Sequence, residues 1–392
     1  MNYVIFGFIN NKNYRYCLIY LFLVCCSPQN TANYKDINVI DLCDAFSRKE
    51  KINLSQIADN VEYIQLESKR ECLVGGALRV YISNEYIITM AFRQIYVFER
   101  LTGKFIYEIG HYGKDPNGYR NTLFVMPYDE KKKTVYAKGW EPQSYYEYSL
   151  TNKLINIINA PFDSDSFCYL NDSVSIAYIK NYSGEEDRKL VTFNKSNPSI
   201  HIFHNYLKFK KTNEITTWMG HGWFYKFDEN LFFFELFNDT VFQIFGNKLV
   251  PKYLLKMGKY SPPYEKQASV KFMREKANNF FFVRNILESS NNVFFSIDYG
   301  HDQYAGFFSK KNNNAFISSN KGFSNDLDNF IPFSPKSIYN NDYLVGFAEA
   351  SEILTWFEMN PDIAAKLPAN LRKFRNLKLT DNPVLMIAKL KE

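Results

Sequence analysis

The chain is poor in the residues that announce chemistry. It holds five histidines, His111, His201, His204, His221 and His301, and none forms H-E-x-x-H or another ligand motif. His201 and His204 stand three apart on a predicted strand, which turns them to opposite faces and argues against a shared metal. Cysteine is as sparse. Beyond the first 26 residues only Cys43, Cys72 and Cys168 remain, with no C-x-x-C pair, so at most one disulfide forms and a disulfide scaffold is excluded. There is no G-x-S-x-G, no Walker loop and no GxGxxG opening a helix. The stretch GHYGKDPNGY (Gly110 to Tyr119) follows one strand and leads to another, so it lacks the helix N-terminus that a phosphate cradle needs. Basic residues are not concentrated: Lys and Arg outnumber Asp and Glu by 47 to 41, but the longest basic run is Lys131 to Lys133, which gives a nucleic-acid partner little support. No metal and no cofactor is expected.

The excess lies elsewhere. Hydrophobic residues make up 46% of the 392 positions and aromatic ones 18%, enough for a large core and too apolar for disorder. The arrangement is repetitive. Ile95 to Arg100 alternates aromatic or branched side chains, Leu101-Thr102-Gly103-Lys104 supplies a turn in which Gly103 is free to take positive φ, and Phe105 to Ile109 resumes the strand. At an offset of 49 residues YVFERLTGKFIYEIG (Tyr96 to Gly110) is answered by YYEYSLTNKLINIIN (Tyr145 to Asn159). A hairpin alone buries too little to be stable, so such units must stack, and the length divides into one repeat array rather than two or three domains.

Four short strands per unit give six units. The first is Leu78 to Ile82, Tyr86 to Met90, Gln94 to Glu99 and Lys104 to Ile109; the second starts at Leu123 to Tyr128, the third at Phe167, the fourth at Trp223 and the fifth at Phe280. Met257 to Asn279, with Pro262-Pro263 and a helix near Lys266 to Lys276, reads as an insertion. The sixth unit offers only Phe333 to Ile338, Tyr343 to Ala348 and Val384 to Leu390, and Ser351 to Leu377 between the last two reads as one or two helices from its apolar spacing. A spare strand, Val61 to Leu66, stands near the start. The expected fold is therefore all-β: a six-bladed β-propeller of four-stranded blades over residues 61–392, its N-terminal strand closing the last blade, with a short helical insertion near the C-terminus.

Residues 1–26 differ from the rest. Lys12 and Arg15 precede the apolar run Cys17 to Cys25, which is too short to span a bilayer and fits a signal-peptide core. Leu23-Val24-Cys25-Cys26 resembles a lipobox whose acceptor would be Cys26. Residues 27–60 then form a linker and N-terminal segment. No acidic residue follows directly in Ser27-Pro28-Gln29-Asn30, which favours a periplasm-facing lipid anchor in the cell envelope.

The blade pattern, the Gly110–Tyr119 loop and FVMPYDEKKKTVYAKG (Phe124 to Gly139) resemble NHL-type repeats. With IADNVEYIQLES (Ile57 to Ser68), FNDTVFQI (Phe237 to Ile244), FSNDLDNFIPFSP (Phe323 to Pro335) and DNPVLMIAKLK (Asp381 to Lys391), the chain is similar to the six-bladed β-propeller lipoproteins of Bacteroidetes. The inter-blade loop of that family reads G-x-x-G-x-G-P-G-E-Y; Gly110, Gly113, Pro116 and Tyr119 match it, whereas Asp115, Asn117 and Gly118 depart from it.

Two functional classes follow. The first is a non-enzymatic, envelope-anchored module that binds a glycan, peptide or protein partner, touching the membrane through its lipid anchor alone. The second is a propeller enzyme, a metal-dependent lyase or hydrolase, which needs groups such as His111, His221, His301 and Asp298 to converge at the central channel. Asp298, His301 and Asp302 also form a local cluster at a strand end, read mainly as a solvated turn. The long loops Gly110 to Tyr119, Asn205 to Gly222 and Met257 to Asn279 all join an outer strand to the next inner strand and so emerge on one face. That face is expected to bind through Tyr112, Trp218, Trp223 and Tyr260, with Trp140 turned to the same opening.

Overall fold

In the computed structural model, residues 37–76, 78–122, 128–141, 143–210 and 221–391 are described. They contain six antiparallel blades of four strands, each built from consecutive strands except the last, and the fourth gains a further parallel strand at its edge. Blade 1 is Arg79–Ile82, Tyr86–Ala91, Gln94–Glu99 and Phe105–Glu108. Its middle strands are buried on both faces because a neighbouring blade lies on each side, hence the unbroken buried runs of Ile87 to Ala91 and Ile95 to Phe98, apolar but for Thr89. The outer strands return to alternation, as Leu154–Asn159 of blade 2 does. The repeat's turn is kept by two different residues: Gly103 at φ +70° and its counterpart Asn152 at φ +60°, both in the left-handed region that Gly and Asn tolerate best.

The ring closes as expected. Ala58–Gln65 pairs antiparallel with Val384–Leu390, Val61 opposite Ala388 and Gln65 opposite Val384, followed inward by Tyr343–Ala348 and Ser337–Tyr339. Arg100 of blade 1 grips Glu62 of this closing strand with both carboxylate oxygens, at 2.8 and 3.1 Å, and Glu67 N–H donates to the Gly103 carbonyl. Buried Asn382 ties the closing segment down: its Nδ2 donates to the carbonyls of Glu67 (2.6 Å) and Cys72 (2.8 Å), and its Oδ1 accepts from Val74 N–H (2.8 Å).

From Asn38 onward, the segment that precedes the closing strand is packed rather than loose. Asn38–Ile40 adds a fifth, parallel strand to the outer edge of blade 4, Asn38 opposite Tyr253. Helix Leu42–Ser47 follows, capped by Asp41, whose carboxylate accepts from Asp44 N–H at 3.0 Å. It inserts Phe46 among Tyr260, Phe281, Tyr299 and Tyr304, with centroids 4.9–5.7 Å apart. Bridges at Glu50–Ser318 and Asn53–Ser324 carry the strap past blade 5 to blade 6.

Of the inner strand expected at Leu123 to Tyr128, only Tyr128–Asp129 lies within the described residues. The insertion within 257–279 carries helix Val270–Glu275, capped by Ser269. The C-terminal insertion is more broken than one or two helices. Ala350–Met359, Pro361–Lys366 and Ala369–Arg372 are separate, followed by a 3-10 turn at Lys373–Asn376. Pro361 and Pro368 explain the breaks: each lacks the N–H that continues a helix and instead starts the next one.

Many tyrosines serve the seams between blades. Glu147 accepts from Tyr136 (2.9 Å) and from Tyr169 (3.1 Å) of the next blade. Glu235 of blade 4 accepts from Tyr178 (3.0 Å) and Lys189 of blade 3. Glu288 of blade 5 accepts from Tyr225 (2.9 Å) and Tyr253 (2.5 Å) of blade 4 and from Lys310 (2.7 Å). Each carboxylate is buried, and each is satisfied, as burial of such a group requires. Burial first, and then the facing glutamate, hold the Tyr178, Tyr225 and Tyr253 hydroxyls protonated far above the usual range.

Candidate functional site: the loop face of the ring

The topology divides the ring into two unlike ends. Among the described residues, one end carries short turns beside the strap's last residues and the chain's C-terminal residues, and Lys131 to Glu229 (3.1 Å) and Asn341 to Asp228 (3.2 Å) bridge its turns, joining blades 2, 4 and 6. The other end carries the long inter-blade loops, the turns between the two middle strands of each blade and the C-terminal helices. Hydrogen bonds lace these together: the Trp140 indole Nε1 donates to Gly113 O, and backbone N–H groups donate from Leu236 to His221 O, from Phe281 to Tyr260 O and from Gly300 to Asn278 O.

At the rim of this loop face, between blades 1 and 2, aromatic rings and cations alternate. Arg93 lies 5.3 Å from the Phe92 ring centroid and 4.2 Å from that of Tyr112; Tyr112 and Trp140 sit 5.7 Å apart at 50°; Lys114 lies 5.1 Å from the Trp140 centroid. Phe92 and Tyr112 are 43% and 42% exposed, in a chain whose other rings mostly fill seams. The loop beneath is fixed. His111–Tyr112 pairs in parallel with Gly118–Tyr119, Tyr119 Oη donates to Arg93 O at 3.1 Å, and His111 Nε2 lies 2.6 Å from Asp115. A Cβ on Gly118 would strike the Gly113 carbonyl, so the tight turn needs glycine there.

At the same end, each blade also has a basic residue in or beside its first or second strand: Arg79, Lys138, Lys180, His221, Arg284 and Lys336. Carboxylates are interspersed. Asp165 accepts from His221 N–H at 3.1 Å, and Arg284 pairs with Asp298 at 2.7 Å. Asp298 also accepts from Gln303, which in turn accepts from Lys336 at 3.2 Å. Lys180 is only 5% exposed, and burial pushes its pKa down to about 8, opposed by Asp165. Lys138 and Lys336 are pushed down by burial as well, and Asp165 is pushed up by it. Burial holds His221 well below the usual histidine range, helped by the charges of Lys180 and Arg284; its Nε2 has no hydrogen-bond partner, and its ring stacks on Phe237 at 5.9 Å. The imidazole is neutral at neutral pH.

The expected site residues fall in different places. Tyr112 is at the rim ladder, and Trp140 stands beside it as expected. Trp223 is half-buried and stacks on Phe234 at 5.2 Å; Tyr260 stacks on Phe281 at 4.3 Å within the cluster around Phe46. Trp218 and Cys26 lie outside the described residues. His111, His221, His301 and Asp298 are not brought together, and among the described residues no group of three His, Cys, Asp or Glu side chains is placed to hold a metal ion. His301 and Asp302 are exposed at the turn, while Asp298 is engaged with Arg284 and Gln303. Phe92, Arg93 and Lys114 were not anticipated. The available signal was a phenylalanine in a two-residue turn, where Asn, Asp or Gly is the usual occupant.

These features define a six-bladed β-propeller. The chain belongs to the family described as "Domain of unknown function (DUF4934)", whose family model matches residues 37–389. A solved structure from Bacteroides fragilis NCTC 9343, of a protein named as exported by inference, is similar at a TM-score of 0.69 with 18% identity, covering 91% of this chain and 100% of that one. A member of the DUF4221 family from Bacteroides vulgatus ATCC 8482 is similar at a TM-score of 0.51 with 9% identity, covering 88% and 99%. At these identities the likeness is one of fold. No curated protein matches the chain. No helix among the described residues is long and apolar enough to cross a membrane.

Proposed function

We propose that this protein is an exported, envelope-anchored binding module that recognises a glycan, peptide or protein partner through the loop face of its ring. One observation carries the reading: three aromatic residues of the fixed loops, the exposed Phe92 and Tyr112 and the half-buried Trp140, gather at the rim with Arg93 and Lys114, while turns at the opposite end are bridged to one another. Rigid scaffolds place recognition on such loops. Tyr112 is the contact the reading leans on most. Trp218 stays a proposed contact, and Trp223 and Tyr260, engaged in packing, stand at its margin. The anchor is Cys26, acylated after removal of the signal peptide in a lipoprotein of NHL-like blades that faces the periplasm. Two experiments test this. Glycan and peptide arrays probed with the wild type and with Tyr112→Ala should lose signal for the variant at unchanged melting temperature; equal signal from both would remove the loop-face reading. Cys26→Ala should abolish incorporation of labelled palmitate and release the protein from membranes, and a variant that stays membrane-bound would remove the anchor.

A further inference from the structure

We propose that the Phe92–Arg93–Tyr112–Trp140–Lys114 ladder is a binding site for an acidic oligosaccharide, with sugar rings packed on the aromatic faces and carboxylate or sulfate groups held by Arg93 and Lys114. The proposal deepens the loop-face reading and rests on it.

Three observations lead there. The first is the state of the cations. Arg93 and Lys114 form no ion pair among the described residues; each is held against an aromatic ring instead, 4.2 Å from Tyr112 and 5.1 Å from Trp140. The carboxylate next to Lys114 in the chain, Asp115, is already engaged by His111. Two exposed cations held over rings keep their donors open to an incoming anion, while the rings spread the apolar surface that the C–H face of a pyranose covers.

The second is preorganisation. Trp140 Nε1 is spent on the Gly113 carbonyl, Thr122 N–H donates to Phe92 O at 3.1 Å, and Tyr119 Oη donates to Arg93 O at 3.1 Å. The three segments that carry the ladder are thus tied, 92–93 and 113 at backbone carbonyls and Trp140 through its indole, so little conformational freedom is lost when a ligand settles on it.

The third is what lies next to it. Lys138, two residues before Trp140, belongs to the basic set of this end, and Arg120 N–H donates to the Lys138 carbonyl at 2.8 Å. The ladder therefore adjoins further positive charge. That charge is not a track for a nucleic-acid backbone, because Asp163 and Asp165 stand beside Lys138 and Lys180. Alternating anion and apolar ring, at the scale of a few sugar units, is the ligand that fits both parts.

The test is calorimetric titration of the purified protein with four probes: an oligogalacturonate (carboxylated), a chondroitin sulfate oligosaccharide (sulfated), a neutral xylo-oligosaccharide and a thymidine oligonucleotide. Binding of at least one acidic sugar is expected, weakened at least tenfold in Arg93→Gln/Lys114→Gln and in Tyr112→Ala, with melting temperature within 1 °C of wild type and affinity falling as salt rises. The carboxylated and sulfated arms identify the anion. Neutral sugar bound as tightly as acidic sugar, or acidic sugar bound unchanged by the cation double variant, overturns the ladder assignment. Oligonucleotide bound equally and through the same residues overturns it too, in favour of unspecific polyanion binding. If no acidic sugar binds but a peptide or neutral glycan does, and does so through Tyr112, the ladder's ligand class falls while the loop-face reading stands.

Discussion

Asn382 offers the most direct perturbation of ring closure. Its side chain, 2% exposed, satisfies three backbone groups of the segment that enters blade 1: Val74 N–H, Glu67 O and Cys72 O. Asn382→Ala leaves Val74 N–H and Cys72 O without that partner, and Glu67 O with only the Cys72 thiol at 3.2 Å. At about 1 kcal/mol for each lost interaction the loss is about 3 kcal/mol. Spread over ~350 folded residues with an unfolding entropy of ~2.1 cal/mol/K each, that lowers the melting temperature by about 4 °C. Asn382→Asp sharpens the test. It keeps the acceptor for Val74 N–H but places a second oxygen against two carbonyls, so it should destabilise at least as much as alanine despite its matching size. Differential scanning calorimetry of the three proteins reads both effects. An alanine variant melting within 1 °C of wild type, or an aspartate variant as stable as wild type, would refute the clasp.

Three further outcomes are expected. Gly103→Ala combines a left-handed φ with a Cβ that collides with the Gln65 carbonyl, so chemical denaturation should show a loss of about 2–4 kcal/mol; a loss under 0.5 kcal/mol would mean the seam between blades 6 and 1 gives way easily. Lys180 is depressed by burial, so its charge costs stability below about pH 8, and that cost is relieved as pH rises from about 8 toward the unfolded value; NMR of labelled lysine should place its titration near 8, and a midpoint at the ordinary value near 10.5 would contradict the burial argument. His221 is also depressed, so the unfolded chain binds the proton more readily and stability falls as pH drops through about 6.5. His221→Phe should remove up to about 1.4 kcal/mol per pH unit of that acid slope and cost under about 1 kcal/mol at pH 7, since it also removes the unpartnered Nε2; an unchanged slope would show that His221 does not titrate between the two states.

The ring was legible because its signals are local and repeated. Two-residue-period strands, the LTGK and LTNK turns and a spare strand at Val61 to Leu66 suffice to infer six blades and their closure. The strap was not legible in the same way. Asn38–Ile40 is too short to name a partner, and its parallel pairing with Tyr253 to Leu255 is decided by a contact more than two hundred residues away. The seam tyrosines show the same limit: composition says that rings fill wedges, but the pairing of Tyr178 with Glu235 or Tyr225 with Glu288 is tertiary. At the candidate site, the long inter-blade loop Gly110 to Tyr119 points to Tyr112, and the place of Trp140 after the second strand of blade 2 points it to the same opening. Tyr260 carries the same sequence signal, yet the strap's Phe46 packs against it, and the strap's course could not be foreseen. Phe92 and Arg93 stayed hidden because a tight turn reads as connection only.

Hydrogen–deuterium exchange with and without a bound acidic oligosaccharide tests the central claim, that the loop face is where this propeller binds. Protection is predicted in the segments around 92–93, 110–120 and 139–141. The turns at 83–85, 130–133, 228–229 and 340–342 should exchange as before. Protection confined to those turns, or to the outer strands, would contradict the account.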